Sequence, residues 1–537
     1  MPLQARRPLS RRGFLTGAGS VSVAAVLVGT GAIGGESASA RPRSLGGYPF
    51  TLGVASGDPM PNSVVLWTRL APDPYAADGR GGMPDRAVPV RWEVAEDERF
   101  RRVVQQGRVT AVPELGHSVH PEVWGLSPAR EYFYRFYAGG EVSETGRTKT
   151  APAYHDNPAA VSLAFASCAN WSDGYFTPYR HLAEEDVDVV LHLGDYIYEY
   201  GIPADGGARQ QAVPDQFRDE AVTLARYRLQ YGLYKSDADL MAAHAAAPWI
   251  VTLDDHEVEN DWAAENPVDP DDADGFLERR ASAFQAYYEH MPLRAAAVPE
   301  GPDMQIYRRL PYGKLLDLNV LDTRQYRDDQ IGTGPEAPDE GSLDPNRSML
   351  GQAQEAWLLT GMGRSVARWQ VLANQAPMAE TDMEPGEEVA VFKDPWDGYD
   401  ANRRRVLEGA RDRGVENLVV LTGDRHRHHA SDVKADYRDP DAPTMASEFI
   451  CSSVSSEGDG EDQDDYSRTA LEANPHIRFA NSRRGYVRCT VTPEAWTTDF
   501  RVVPHVSSTG APISTRATYT VENGRPGVQP HGVGPPV

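Results

Sequence analysis

Three observations predict an α/β fold in which a small β-sandwich precedes a larger layered α/β domain. The chain has 537 residues, too many for one ordinary core, and its 40% hydrophobic content can supply two. Residues 47–150 carry short alternating runs separated by Gly and Pro turns. From Ala160 onward, unbroken apolar runs alternate with helical stretches. A strand that reads as a continuous apolar segment is buried on both faces, as happens when helices cover a sheet.

In chain order, residues 1–40 read as an export signal. Ser10-Arg11-Arg12-Gly13-Phe14-Leu15 supplies a twin-arginine start, residues 21–33 a short apolar stretch and Ala38-Ser39-Ala40 a small-residue cleavage site. The apolar stretch is too short and too rich in Gly for a membrane span. The expectation is export by the twin-arginine translocation machinery, a mature chain starting near Arg41, and a secreted product, extracellular or bound to the cell wall. That route carries folded proteins, which fits a metal loaded before export.

Residues 47–150 should form an Ig- or fibronectin-like β-sandwich, with runs such as 63–68, 88–94 and 132–136. It carries no cluster of titratable residues, so its expected role is structural or substrate-flanking. A Pro-rich linker follows at 149–158. In the domain expected over 160–508, the core strands are 161–166, 187–193, 249–253, 315–321, 369–373 and 418–421. The helices are 176–184, 221–246, 276–290, 352–359 and 403–412. Residues 509–537 read as a flexible tail. The Tyr-rich run 226–234 has helical spacing and reads as packing, and the acidic stretch 457–465 reads as a solvated loop.

The formal net charge of −25 argues against nucleic-acid partners, which need Lys and Arg to neutralise phosphates, and suits hard cations. Only three cysteines occur, Cys168, Cys451 and Cys489, far too few for a disulfide scaffold. Cys451 and Cys489 sit in strand-like segments and read as buried thiols or as one disulfide.

Polar, metal-competent residues follow directly on four of the apolar runs. Cys168 follows 161–166; Asp195 and Tyr198 follow 187–193; Asp255, His256 and Asn260 follow 249–253; Asp424, Arg425 and His426 follow 418–421. Loops leaving the carboxyl ends of parallel strands converge on one crevice. Several carboxylates meeting there repel one another unless a cation compensates them. Thiolate, phenolate and imidazole suit a transition metal such as ferric iron, whereas carboxylate and amide oxygens suit calcium, magnesium or manganese. A carboxylate such as Asp195 can bridge two metals, and the pair can then clamp both ends of an in-line displacement at phosphorus and yield hydroxide from water at working pH.

His256, between Asp255 and Glu257, can donate a proton to the leaving oxygen or orient the Asp255 carboxylate. Asn260 offers either an amide oxygen or a cap. Arg425 can meet a phosphate oxygen, although an alternating strand would turn it away from Asp424 and His426. His428 and His429 read as solvated or supporting, and Glu257 and Glu259 as surface or supporting carboxylates.

At these residues the sequence resembles the PhoD family of secreted alkaline phosphatases and phosphodiesterases. The resemblance rests on the twin-arginine start, Leu52-Gly53-Val54-Ala55-Ser56-Gly57-Asp58-Pro59, Ala166-Ser167-Cys168, His192-Leu193-Gly194-Asp195-Tyr196-Ile197-Tyr198-Glu199 and Asp254-Asp255-His256-Glu257-Val258-Glu259-Asn260. It implies a calcineurin-like α/β sandwich metallophosphoesterase core with one ferric iron (Fe3+) and calcium (Ca2+) beside it. Cys168, Asp195 and Tyr198 would then hold iron, with Asp195 bridging, and Asp255, Asn260, Asp424 and His426 the remaining positions. Gly423-Asp424-Arg425-His426 continues as Arg427-His428-His429-Ala430, where the family more usually has a small polar residue soon after the histidine.

The expected activity is metal-dependent hydrolysis of phosphomonoesters and phosphodiesters, by a chain acting as a monomer. A phospholipase D-like phosphodiesterase acting on phospholipids is the alternative within the class. A secreted calcium-binding or adhesion protein is the alternative outside it, and such a protein has no use for the Cys168 thiolate.

Overall fold

The computed structural model describes residues 45–332 and 334–534; the export signal expected over 1–40 lies outside them. An eleven-stranded and a seven-stranded sheet form the body. At the centre of the first, Val161–Ala166, Val189–Leu193 and Pro248–Thr252 run parallel, with Leu163 opposite Val189 and Val190 opposite Trp249. In the second, Leu316–Val320, Trp369–Ala373, Leu418–Thr422 and Thr444–Ile450 are parallel neighbours.

The pleat explains the unbroken apolar runs. Leu163, Phe165, Val189, Leu191 and Ile250 face the second sheet and share one core with Leu318, Val371, Val419 and Leu421. Ala164, Ala166, Val190, Trp249 and Val251 face the other way, onto helices Leu224–Lys235, Ala238–Ala246 and Phe276–His290. Leu418 and Val420 likewise pack under Gly351–Met362 and Asp400–Arg411. Two sheets face to face with helices outside both make an α/β sandwich of four layers.

The structure corrects the expected boundaries in three places. The amino-terminal module does pack two sheets around one core, with Val64 and Leu66 against Val90, Val94, Tyr134 and Phe136, but one of those sheets continues into the body. Strands Val88–Ala95, Val103–Ala111, Glu131–Ala138, Glu141–Val142 and Gly146–Lys149 form their own five-stranded sheet. Ala55–Met60 and Ser63–Arg69 instead extend the eleven-stranded sheet, through a parallel pairing of Ser56 with Pro248. Gly57 permits this, because a Cβ there would lie 2.3 Å from the Pro292 carbonyl oxygen. Trp67 Nε1, donating to the Glu289 carbonyl at 3.0 Å, ties the module to the helix below.

The segment expected to be a flexible tail contains two sheet strands, Ser514–Glu522 and Arg525–Val533. Ala517, Tyr519 and Val521 alternate into the inter-sheet core, and that burial holds the segment down. The single helix expected over 221–246 is two. Asp237 leaves helical geometry and accepts the backbone N–H groups of Asp239 and Leu240, starting a new helix. All three cysteines are buried free thiols.

Candidate functional site

Each site residue stands where a strand ends in a sharp turn. Cys168, Asp195, Asp424 and His426 all have positive φ, at 59°, 52°, 65° and 54°. Such backbone costs a residue with a side chain about 1–3 kcal/mol, so four together at one place point to function. The turns are packed too closely for larger residues: a Cβ on Gly194 would lie 2.3 Å from the Asp254 Cβ. Ser167 bridges to Ser453, and Val454 N–H donates to the Ser167 carbonyl at 3.0 Å. Those bonds bring the strand ends of the two sheets together.

Two donor groups result. Cys168, Asp195 and His426 each offer an atom within 4.8 Å of the others, and so do Asp195, Asp255 and His256, with Asp195 common to both. Tyr198 joins the first group, its hydroxyl lying 2.9 Å from His426 Nε2 and 3.4 Å from Asp195 Oδ2 and accepting from Ser456 Oγ at 2.8 Å. Asp424 interacts electrostatically with both, with Cys168 of the first and Asp255 of the second.

The electrostatics call for positive charge. Asp195 Oδ1 and Asp255 Oδ1 are buried without a hydrogen-bond partner. Burial, and after it the Asp255 carboxylate, pushes the Asp195 carboxyl well above the usual carboxylate range. Burial and then Asp195 do the same to the Cys168 thiol and the Tyr198 phenol. Asp255 goes the other way: burial opposes ionisation, but Arg324 and then His256 hold it below the ordinary range. Thiol, phenol, imidazole and shared carboxylate fit a transition metal, and the orphaned carboxylate oxygens beside them fit a harder cation.

Supporting residues fix these donors. Glu257, read from sequence as surface or supporting, is buried and accepts three backbone N–H groups, from Asp195 at 3.1 Å, Tyr196 at 2.6 Å and Asp254 at 2.7 Å. Glu199 accepts from His256 Nδ1 at 2.8 Å and from Asn260 N–H at 2.9 Å. Arg324, fully buried, donates to Asp254 Oδ1 at 2.6 Å and Asp394 Oδ1 at 2.8 Å. Sequence reasoning gave Glu199, Arg324 and Asp394 no role. Glu199 carries an advance signal as the last residue of the His192–Glu199 motif, and Arg324 a weaker one as an arginine just after an apolar run.

Of the expected residues, the structure gathers Cys168, Asp195, Tyr198, Asp255, His256 and His426, with Asp424 beside them. Asn260 is exposed and meets the site through its backbone. His428 and His429, expected to be solvated or supporting, are buried in strand His428–Lys434. Arg425 lies in a bend between two strands, so strand alternation does not aim it. The stretch read as a solvated loop contributes Glu457, 3.4 Å from His426 Nδ1.

A buried cluster of carboxylate, imidazole, thiol and phenol stands at the converging strand ends of a two-sheet α/β sandwich, and similarity to known proteins makes the chain a hydrolase of phosphoric esters. The chain belongs to the PhoD-like phosphatase family, whose model matches residues 163–500, and the model of that family's N-terminal domain matches residues 36–152. It is 48% identical to alkaline phosphatase D of Bacillus subtilis (strain 168), over 97% of this chain and 88% of that protein. The solved structure of PhoD superposes with a TM-score of 0.86 at 48% identity, covering 91% of this chain and 93% of that one.

Proposed function

We propose that this phosphoester hydrolase is a secreted, metal-dependent alkaline phosphatase that releases phosphate from phosphomonoesters and phosphodiesters. The observation that carries the reading is one buried carboxylate, Asp195, shared by two donor groups of different chemistry. Cys168, Tyr198, His426 and Asp195 would hold ferric iron; Asp195, Asp255 and Asp424 would hold calcium, with the exposed Asn260 side chain joining only if it turned inward. When bound, these ions supply Lewis acidity toward the phosphoryl oxygens and activate the attacking water. Glu199 holds the His256 ring by Nδ1 and leaves Nε2 free to give a proton to the leaving oxygen. Arg425 supplies a guanidinium to the substrate. The twin-arginine start supports export, and the net charge of −25 argues against nucleic acid, leaving small phosphoesters or phospholipids as substrates.

The test is hydrolysis, by the purified mature chain with calcium at alkaline pH, of a phosphate monoester, a matched diester and a phosphatidylcholine, with iron measured in wild type and Cys168→Ser. Faster monoester cleavage, together with loss of iron and of turnover in Cys168→Ser, is expected. Preference for the lipid moves the function to a phospholipase D-like phosphodiesterase, and full activity in iron-free Cys168→Ser overturns the metal assignment.

A further inference from the structure

Arg425 leaves the backbone between Asp424 and His426, yet its guanidinium makes no hydrogen bond or ion pair, and its Nε and Nη2 are buried without a partner. The acids whose field reaches it are already engaged: Asp394 with Arg324 and Arg327, Asp397 with Arg403, and Asp424 beside the donor groups around Asp195. A buried guanidinium without an anion is costly, so an unspent charge beside a reaction centre points to a ligand that supplies one.

Two further polar atoms around it lack partners. Tyr466 OH and His429 Nε2 are both buried and unsatisfied. The Tyr466 ring lies 5.9 Å from the Arg425 guanidinium carbon, Phe392 lies 5.2 Å from it, and the His429 ring stacks at 6.4 Å from Tyr466. Burial, and after it Arg425 and Arg427, holds the His429 imidazole neutral, down to about 3. His429 and Tyr466 belong to strand His428–Lys434 and helix Asp465–Ala473, neither of which carries a donor of the two groups around Asp195. Arg425 thus stands between the donor cluster, which its chain neighbours Asp424 and His426 adjoin, and polar groups that lie outside that cluster.

We propose that Arg425, Tyr466 and His429 form a second anion subsite, which takes a carboxylate or phosphoryl group on the leaving-group side of the ester. The subsite rests on the phosphoester-hydrolase reading of the neighbouring donors. It favours substrates whose leaving group is itself charged, with Arg425 supplying the charge and the two neutral polar groups fixing the orientation.

The test compares kcat/KM for 4-carboxyphenyl phosphate and phenyl phosphate in wild type, Arg425→Met and Tyr466→Phe. Calorimetric binding of the matching non-hydrolysable phosphonates runs in parallel. Wild type should prefer the carboxylated member of each pair. Arg425→Met should cut that preference by about tenfold or more, and Tyr466→Phe by a smaller factor. The ratio is taken within each protein, so a general loss of stability cancels. Equal loss on both substrates would place Arg425 on the transferred phosphoryl group and overturn the subsite, as would a wild type without preference. If no ester turns over but the phosphonates show the ratio, the subsite stands and the hydrolase mechanism falls.

Discussion

Arg324→Met tests whether a cross-sheet cation holds the acidic site in place. Arg324 follows strand Leu316–Val320 of the second sheet, yet it pairs with Asp254 and approaches Asp255 at 3.7 Å, both at the end of a first-sheet strand. It also pairs with Asp394 at 2.8 Å. With 0% of its surface exposed, its removal leaves Asp254 without its ion-pair partner and weakens the counter-charge on Asp255 and Asp394, which keep His256 and Arg327. Breaking a buried pair from one side costs about 3–5 kcal/mol, far more than an exposed pair is worth.

The sign of the pH dependence follows from Asp255, whose carboxyl Arg324 helps to hold below the ordinary range. A depressed folded pKa contributes stability that is present above the unfolded value, about 3.9, and lost as pH falls through the folded one. The deficit of Arg324→Met should therefore be complete at neutral pH and shrink below about pH 4. Denaturant unfolding of chelator-treated protein, at several pH values, measures it without metal linkage. A deficit under about 1 kcal/mol, or one that grows in acid, would refute the clamp.

Two further outcomes follow from the same geometry. Burial lowers the His256 pKa, but Glu199, then Asp255, raises it well above the ordinary value; Glu199→Gln should thus lower kcat by about tenfold to a hundredfold and move the alkaline limb of the pH–rate profile to lower pH, whereas an unshifted limb would show that Glu199 does not position a proton donor. Gly194→Ala should abolish soluble expression or activity, because Gly194 has φ 106° and an added Cβ would meet Asp254 at 2.3 Å; a folded, active variant would show that the Asp195 turn has slack.

The strands that carry the site were legible because each is buried on both faces, so Phe165, Leu191 and Val420 announce themselves without alternation. The donors were legible because they lie within a few residues of those strands. The assignment of strands to sheets was not. Leu418–Thr422 belongs to a different sheet from Val161–Ala166, and what joins their ends is non-local: the Ser167–Ser453 bridge, and Thr252 Oγ1 donating to the Leu321 carbonyl at 3.0 Å. Nor was the tail legible. Ala517, Tyr519 and Val521 do alternate, but they are flanked by Gly, Pro and Ser that read as loop.

The residues that hold the donors separate sequence from structure most sharply, and for one physical cause. A ligand is recognised by its own chemistry, whereas a positioning residue is defined by what folding leaves unpaired. Glu257 in the chain is one more acid in an acidic segment; in the fold it satisfies the three N–H groups that the Asp195 and Asp254 turns expose. Arg324 is one arginine in a loop until two sheets close and bury Asp254 against it. By the same logic Arg425 stands out because folding pairs neighbouring buried arginines such as Arg324, Arg327 and Arg403 and leaves this guanidinium unmatched. On the proposal of a second anion subsite, the unmatched group is the one that takes substrate, and its charge, not that of the acidic donors around Asp195, would set which ester the site prefers.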